Sequence, residues 1–161
     1  MTAYGTAGGS TAEVAEAVGD EMRQGGAIVD VVPVEEIKDI SGYDSVVIGS
    51  AVRITKLLSK TRKFLRKNRR QLKLLPLAHF LVCMTIADDT LENVEKTTEF
   101  AKLLLSLKRP VTLGLFGGCM DPEKLTGMFA KMMESQPTED KRDWDKIRAW
   151  AREALAELSE A

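Results

Sequence analysis

Two apolar runs, each followed by a helix-like segment, constrain the fold of this chain most strongly. Residues 45–52 read Ser-Val-Val-Ile-Gly-Ser-Ala-Val, and residues 77–85 are nearly as apolar. A strand is apolar at successive positions when both of its faces are buried, as in a parallel sheet that helices cover on both sides. The two runs therefore predict an α/β fold with a parallel sheet at its centre.

The remaining segments alternate between strand and helix signals in the same way. Further strands are predicted at residues 1–4, 27–34 and 110–116. Helices are predicted at residues 10–24, 55–72 and 91–108, from Asp121 onward, and from about residue 143 to the end. No repeat or linker interrupts this alternation. The pattern predicts one domain over residues 1–161, with a parallel sheet between two layers of helices. One common doubly wound arrangement of such a sheet has the strand order 2-1-3-4-5.

The first two strands carry the least regular signals. Four residues at about 3.3 Å each make only a stub of a core strand. Either the first strand is truncated or the natural chain begins further upstream. Pro33, in the second strand, is tolerated only at the edge of a sheet, which is where the order 2-1-3-4-5 places that strand.

A stretch rich in glycine and hydroxyl groups follows the first strand. Residues 4–11 read Tyr-Gly-Thr-Ala-Gly-Gly-Ser-Thr and lead directly into a helix pattern. Glycines let successive N–H groups turn inward, and the first helical turn adds unpaired donors and the positive end of its dipole. The stretch has neither the Gly-Lys-Ser/Thr of nucleotide triphosphatases nor the Gly-x-Gly-x-x-Gly of dinucleotide-binding proteins. It is either a phosphate-binding loop or an ordinary glycine-rich turn with a capping hydroxyl.

Composition and residue spacing limit the cellular location and the kinds of binding site that we expect. The 161 residues are 44% hydrophobic and 29% charged, as in globular proteins. No apolar run approaches the roughly 20 residues that span a bilayer, and no signal-peptide pattern is present, which predicts a cytoplasmic location. Cys83, Cys119 and the single histidine, His79, fit no common metal-site spacing. We expect inert buried thiols and a structural histidine.

Residues 4–11 resemble the phosphate loop of the flavodoxin superfamily, whose usual form is aromatic-Gly-Ser/Thr-x-Thr-Gly-x-Thr. Thr6, Gly9 and Thr11 match that form, Ser10 takes the variable place, and Gly8 stands where a hydroxyl residue is usual. The resemblance implies a flavodoxin-like fold, with three α/β/α layers and a doubly wound parallel sheet of strand order 2-1-3-4-5. It also implies a site for the single phosphate of FMN.

Other segments resemble one particular family within the flavodoxin superfamily. The run Val-Val-Ile-Gly-Ser-Ala-Val-Arg at 46–53 precedes a very basic helix, and Phe-Gly-Gly-Cys-Met-Asp at 116–121 precedes a Met-rich helix at 125–133. Together with Arg-Asp-Trp at 142–144, they look like the flavodoxin-type, menaquinone-dependent protoporphyrinogen oxidases of haem biosynthesis. That family implies an FMN-dependent oxidoreductase that passes electrons from a porphyrinogen-like substrate to a quinone.

Four loops at the carboxyl ends of the strands are the predicted site, because ligands of open α/β sheets bind there. In flavodoxins these loops hold the phosphate, the two faces of the isoalloxazine ring and the ring edge. The resemblance thus implies the following cofactor-binding residues: Thr6, Ala7, Gly8, Gly9, Ser10, Thr11, Ser50, Ala51, Val52, Arg53, Ile54, Met84, Thr85, Ile86, Ala87, Gly117 and Gly118. The hydroxyls of Thr6, Ser10 and Thr11 would donate to the phosphate. No side chain qualifies as a general base, so no catalytic residue is predicted.

Several alternatives stay open at this point. The loops at 50–54 and 84–89 contain no aromatic residue, which either leaves a ring face open to a stacked substrate or weakens flavin binding. The chain is accordingly an enzyme of this type, a flavodoxin-type electron carrier, or a cofactor-free interaction domain. Arg53 either pairs with a substrate carboxylate or is an ordinary surface arginine. The methionines at 128, 132 and 133 are either core residues or an adaptable cover for a flat substrate.

Charge is strongly segregated along the chain. Residues 53–73 contain ten Lys and Arg and no acid, whereas the remainder carries 13 basic against 24 acidic residues. The basic helix predicts either peripheral contact with an anionic membrane, at about 1 kcal/mol per residue, or an ordinary solvated face opposite an acidic partner. The predicted membrane strip consists of Lys56, Lys60, Lys63, Lys67 and Arg70.

Two other kinds of partner are considered. The basic face lacks interleaved aromatic residues and a recognised reading motif, so no nucleic acid is predicted. Trp144 and Trp150 lie six residues apart on the last helix and are assigned to packing or to a homodimer contact.

Overall fold

The computed structural model describes residues 1–53, 56–87, 90–124 and 127–161. Its strands are β1 (Thr2–Gly5), β2 (Val31–Pro33), β3 (Val46–Arg53), β4 (Lys56–Leu57), β5 (Leu77–Val82), β6 (Leu113–Phe116), β7 (Cys119–Met120) and β8 (Glu139–Asp140). Its α-helices are α1 (Ser10–Gln24), α2 (Ser59–Lys67), α3 (Arg69–Leu72), α4 (Leu91–Phe100), α5 (Lys102–Leu107), α6 (Gly127–Met133) and α7 (Trp144–Glu160). Short 3₁₀ turns lie at Met84–Ala87 and Pro122–Lys124.

The main sheet has the predicted doubly wound order. Its strands run β2-β1-β3-β5-β6 and all pair in parallel. This is the order 2-1-3-4-5 once the two-residue β4, which pairs antiparallel with the end of β3, is set aside. Helices lie on both faces, so the predicted three-layer α/β/α architecture is confirmed.

The first strand is short, as predicted, yet it occupies an inner position of the sheet. β1 pairs with β2 on one side and with β3 on the other, so that Thr2 lies opposite both Val31 and Val47. Backbone bonds continue the pairing at its start, from the Val47 N–H to the Met1 carbonyl at 2.8 Å. Pairing on both edges therefore compensates for the small number of residues.

The second strand is an edge strand, as Pro33 indicates, but the predicted range 27–34 is too long. The strand covers only Val31–Pro33, and it is flanked by backbone bonds from the Thr2 N–H to the Asp30 carbonyl at 2.8 Å and from the Val34 N–H to the Tyr4 carbonyl at 2.9 Å. The Arg23 guanidinium donates to the Val29 carbonyl at 3.0 and 2.8 Å, which engages that oxygen outside the sheet. Ile28 is fully exposed. Residues 27–30 are consequently a connection between α1 and the sheet.

Two predicted helices are interrupted. The helix expected at 55–72 begins only at Ser59 and breaks at Asn68, whose buried side-chain amide donates to the Phe64 carbonyl at 3.0 Å. The helix expected at 91–108 divides at Ala101 into α4 and α5. Among the described residues, no helix combines the length and the apolarity needed to cross a membrane.

The beginnings of two further helices follow their predicted caps. The Asp121 carboxylate accepts from the Glu123 N–H at 3.1 Å, but the following turn is 3₁₀. Asp143 caps α7 by accepting from the Lys146 N–H at 3.0 Å. The position of α7 therefore agrees closely with the predicted helix from residue 143.

The two faces of the sheet have separate cores. On one face, α1 and α7 cover Phe80 and Phe116 of the sheet, and Trp150 of α7 packs against both, with ring centroids 5.5 to 6.0 Å apart. On the other face, α2, α3 and α5 contribute Phe64, Leu72 and Leu104. Trp150 is thus a packing residue of the first core.

The antiparallel pair formed by β7 and β8, called the hairpin below, was not predicted. Residues 135–142 read as a polar stretch, but β8 pairs antiparallel with β7, and the Lys141 N–H donates to the Gly118 carbonyl at 2.9 Å. A Cβ at Gly117 would lie 2.0 Å from the Lys141 carbonyl oxygen. The hairpin therefore requires glycine at this position, because the two backbones touch there.

We predict a pH dependence of stability from His79, which is fully buried in β5. Burial lowers its pKa from 6.5 to about 4, because the charged ring would be poorly solvated and neither ring nitrogen has a hydrogen-bond partner among the described residues. The unfolded chain binds a proton near pH 6.5, whereas the folded chain resists protonation until about pH 4. Stability from this group is therefore complete above pH 6.5 and falls by about 3 kcal/mol as the pH is lowered toward 4.

Urea unfolding of the original chain and of His79→Leu between pH 4 and pH 8 measures this contribution. Leucine does not titrate, so we expect the difference in unfolding free energy between the two proteins to change across that window. Carboxylates titrate in both proteins and cancel in the difference. A pH-independent difference would contradict the assignment.

Candidate functional site

A cavity of about 450 Å³ opens at the carboxyl ends of the central strands. Besides Phe100 of α4 and Met133 of α6, four segments line it: the loop after β1, the end of β3, the segment from the end of β5 into its 3₁₀ turn, and the β7 region after β6. These are the four segments in which the site was predicted. The described lining residues are Ala7, Gly8, Ser10, Ala51, Val52, Arg53, Val82, Cys83, Met84, Thr85, Phe100, Gly118, Cys119, Met120 and Met133.

The loop after β1 is organised by Gly9. This residue has a φ of 90° and precedes α1, so a side chain at this position would strain the backbone. Its N–H donates to Thr6 Oγ1 at 3.0 Å, and its carbonyl accepts from the Ala12 N–H at 2.9 Å. The Gly9 turn therefore directs the beginning of α1 toward the cavity.

The first turn of α1 leaves hydrogen-bonding groups unused. Within the described part of the chain, the N–H groups of Ser10 and Thr11 donate to no backbone carbonyl or side chain. Thr11 is fully buried, and its hydroxyl has no partner among the described residues. An unpaired buried hydroxyl is costly, at about 1–3 kcal/mol. These groups fit an oxyanion placed at the start of α1.

The end of β3 presents its residues in two directions. Ala51, Val52 and Arg53 line the cavity. Ser50 instead is buried toward α2, where its hydroxyl lies 3.1 Å from Thr61 Oγ1. Ile54, which was also predicted to bind the cofactor, lies outside the described residues. Ser50 thus serves the attachment of α2 to the sheet.

The segment after β5 leaves the sheet earlier than predicted. The strand expected to reach residue 85 ends at Val82, and residues 84–87 form a 3₁₀ turn. The Cys83 N–H still donates to the Phe116 carbonyl at 3.0 Å. This turn places Met84 and Thr85 on the cavity and buries Ile86; the side chain of Ala87 is outside the described part.

The segment after β6 is held in place by Arg142. Its guanidinium donates to both carboxylate oxygens of Asp140, at 2.8 and 2.6 Å, and to Glu13 of α1 at 2.6 Å. It also lies 4.7 Å from the centre of the Trp144 ring. Only 8% of the Arg142 side chain is exposed, so the pairs are well packed. Arg142 thereby fastens the hairpin that carries Met120 to the helix that begins at the first loop.

The same contacts determine the electrostatics of this segment. The hydrogen bonds from Arg142 lower the pKa of the Asp140 carboxyl. Hydrogen bonding to Asp140, and then to Glu13, raises the pKa of Arg142. Burial, followed by the charge of Asp140, raises the pKa of the Cys119 thiol. Cys119 is therefore a protonated thiol at neutral pH.

The cavity gathers nine of the seventeen predicted residues. These are Ala7, Gly8, Ser10, Ala51, Val52, Arg53, Met84, Thr85 and Gly118. Thr6, Gly9 and Thr11 shape the first loop from outside the lining. Ser50, Ile86 and Gly117 are buried in the surrounding packing.

Phe100 is the main lining residue that sequence reasoning missed. It lies at the end of α4, away from the four loops, so no loop motif could have indicated it. Met133 lines the cavity, whereas Met132 is 65% exposed; the Met128 side chain is not among those described. Of these three methionines, Met133 therefore lines the cavity, together with Met84 and Met120 from other segments.

Known proteins with similar sequences and folds agree with this geometry. Residues 1–146 match the family described as Flavodoxin domain. Protoporphyrinogen IX dehydrogenase [quinone] of Escherichia coli strain K12 is 25% identical over 172 aligned residues, which cover 98% of this chain and 94% of that protein.

Solved structures show the same fold at lower identity. A flavodoxin from the domain Archaea is 14% identical with a TM-score of 0.61, over 98% of this chain and 96% of its own. Rubredoxin oxygen:oxidoreductase of Desulfovibrio gigas is 13% identical with a TM-score of 0.62, over 99% of this chain. This chain spans only 35% of the length of the Desulfovibrio protein. From its sequence match, its strand order and these shared folds, the chain belongs to the flavodoxin domain family.

Proposed function

We propose that the chain binds FMN noncovalently in this cavity and is an FMN-dependent dehydrogenase that passes electrons from a porphyrinogen-like substrate to a quinone. The observation that carries the proposal is the convergence of unused donors at the start of α1 with an apolar cavity beside them. A phosphate needs the first feature and a flat ring the second. The name of the Escherichia coli relative supplies the substrate class and the acceptor.

The residues present suit FMN. The phosphate would be held by the backbone of residues 6–11, with hydroxyl donors from Thr6, Ser10 and Thr11. Thr6 Oγ1 already accepts from Gly9 and keeps its own proton to donate. The ring would lie against Ala51–Arg53 and Met84–Thr85, with Gly118 at its edge. FMN, when bound, supplies the capacity to accept and release two electrons, and the protein supplies position and electrostatics.

The walls of the cavity suit a large apolar substrate with an acidic group. Met84, Met120 and Met133 line it together with Phe100. Thioether side chains adapt to irregular apolar shapes such as the puckered ring of a porphyrinogen, and an aromatic ring can stack on one of its pyrroles. Arg53 is the only charged residue among the described lining residues. Its guanidinium can pair bidentately with a carboxylate such as a propionate.

Thr11→Val tests the phosphate site, because valine has nearly the same shape without the hydroxyl. We expect FMN affinity to fall by about tenfold or more, the usual loss for a hydrogen bond to a charged group. The variant without FMN should be as stable as the original or more stable, since the unpaired hydroxyl is gone. FMN fluorescence titration and urea unfolding measure the two effects. Unchanged FMN affinity would exclude a phosphate at this hydroxyl.

Arg53→Gln tests the carboxylate contact. We expect KM for protoporphyrinogen to rise about tenfold with little change in kcat, because a contact made equally in the ground state and transition state affects KM alone. Arg109→Gln, which removes an exposed arginine elsewhere, is the matched control and should leave both constants unchanged. Equal effects of the two substitutions would remove Arg53 from the substrate site.

Anaerobic mixing of the FMN-loaded protein with protoporphyrinogen tests the proposed function itself. We expect loss of the oxidised flavin absorbance and its return when a menaquinone analogue is added. An electron carrier would bind FMN but would not be reduced by protoporphyrinogen. An interaction domain would not bind FMN. Either of these outcomes would refute the dehydrogenase proposal.

A further inference from the structure

We propose that the arginine-rich side of α2 and α3 is a docking surface for an anionic lipid bilayer, and that it shares only Arg70 with the lysine strip expected from the sequence. We define this arginine surface by Arg62, Arg66, Arg69, Arg70 and Lys73. The inference rests on the proposed function in one respect, since a quinone acceptor dissolves in the bilayer. The surface itself is argued from its own charges and contacts.

The lysine strip is partly occupied by contacts within the protein. Lys60 forms an ion pair with Glu35 at 2.5 Å. The Lys67 ammonium donates to the Lys38 carbonyl at 3.5 Å. These two lysines of the predicted strip therefore contact the loop after β2, although Lys67 is exposed and also lines the cleft at the break between α2 and α3.

The charges of the arginine surface, unlike those of Lys60 and Lys67, are not engaged by neighbouring described residues. None of its five members forms an ion pair with a described residue. Four of them, all except Arg62, are exposed. Five like charges on one side of a chain with net charge −1 create a local positive potential that attracts an anionic surface.

Two adjoining clefts make the arginine surface continuous. A cleft of about 610 Å³ surrounds the break between α2 and α3 and contains Arg66, Arg69, Arg70 and Lys73. A second cleft, of about 260 Å³, lies between α2 and α5 and shares Arg66 and Arg69 with the first. Arg62 borders the second cleft, and its Nε is buried without a partner among the described residues.

An apolar component accompanies the charges. Leu74 follows Lys73 directly and is 82% exposed, and its N–H donates to the carbonyl of Gln71 in the first cleft. The second cleft has Leu65 and Leu107 beneath its arginines. A cationic surface with a protruding leucine suits the boundary between lipid headgroups and acyl chains. A purely acidic protein surface would leave Leu74 exposed.

The direction of the helices relates this surface to the cavity. α2 begins just after β4, which pairs with the cavity-lining end of β3. From there α2 and α3 lead away from the cavity through about 20 Å of helix, at 1.5 Å per residue. The beginning of α2 therefore lies beside the cavity, and the arginine surface lies further along α2 and α3.

Vesicle flotation of the full chain tests the proposal. The probes are vesicles of phosphatidylcholine alone and vesicles with 40% phosphatidylglycerol, at two salt concentrations. The loss variant is R66Q/R69Q/K73Q, and the control K96Q/K102Q/R148Q removes the same charge from exposed positions elsewhere. At about 1 kcal/mol per residue, we expect the loss variant to bind anionic vesicles about a hundredfold more weakly, and the control to bind normally.

Leu74→Ser provides a second readout, because it leaves every charge in place. We expect weaker binding to the anionic vesicles with an unchanged dependence on salt. Equal losses in the loss variant and the control would show that net charge alone is responsible and would overturn the proposal. Binding to polyglutamate without binding to anionic vesicles would also overturn it, in favour of an acidic protein partner.

These outcomes are separate from those of the proposed function. Vesicle binding needs neither FMN nor turnover, and the substituted residues do not line the cavity. Vesicle binding by a chain that fails to bind FMN would refute the dehydrogenase proposal and support the docking surface. FMN-dependent turnover without vesicle binding would support the dehydrogenase proposal and refute the docking surface.

Discussion

The pairing of β1 along both of its edges is the interaction on which the candidate site depends. β1 has only four residues, but its last residue, Gly5, lies opposite Ser50 of β3. That register brings the Gly9 loop level with the end of β3, so that both line one cavity. A slip of one residue would turn every side chain of the strand to the other face of the sheet. The position of the first loop is thus set by backbone pairing.

Close backbone approach at glycines completes this arrangement. A Cβ at Gly5 would lie 2.1 Å from Thr61 Oγ1, and one at Gly117 would lie 2.0 Å from the Lys141 carbonyl. The first contact lets α2 pack onto the ends of β1 and β3, and the second lets the β7–β8 hairpin close against β6. Arg142 then joins that hairpin to α1 through Glu13. The walls of the cavity are connected to one another as well as to the sheet.

Much of this could be predicted from local signals. Continuous apolar runs indicate strands buried on both faces, and the Gly9 turn followed by an amphipathic pattern indicates the loop and α1. The alternation of strands and helices indicates the doubly wound sheet, and Pro33, which only an edge strand accommodates, agrees with the order 2-1-3-4-5. Nine predicted site residues line the cavity because the carboxyl ends of parallel strands meet at one edge of a sheet.

The rest depends on contacts between residues distant in the sequence. Phe100 reaches the cavity from the end of α4, and Ser50 turns away from it because Thr61 offers a hydroxyl partner. β7 and β8 are far apart in the sequence, and a strand of two residues is too short to show a periodic pattern. The helix breaks at Asn68 and Ala101 reflect tertiary packing that propensity does not register. Lys60 and Lys67 were placed in a surface strip, although both contact the loop after β2.

The central claim is that the start of α1 and the cavity beside it form one FMN site. Titration of the ¹⁵N-labelled chain with FMN, followed by amide chemical shifts, tests it most directly. We expect the largest changes in amide chemical shift at Ser10 and Thr11, accompanied by changes at Arg53, Thr85 and Gly118. Saturating FMN that leaves the Ser10 and Thr11 amides unmoved, or that shifts only the amides of α2 and α3, would contradict it.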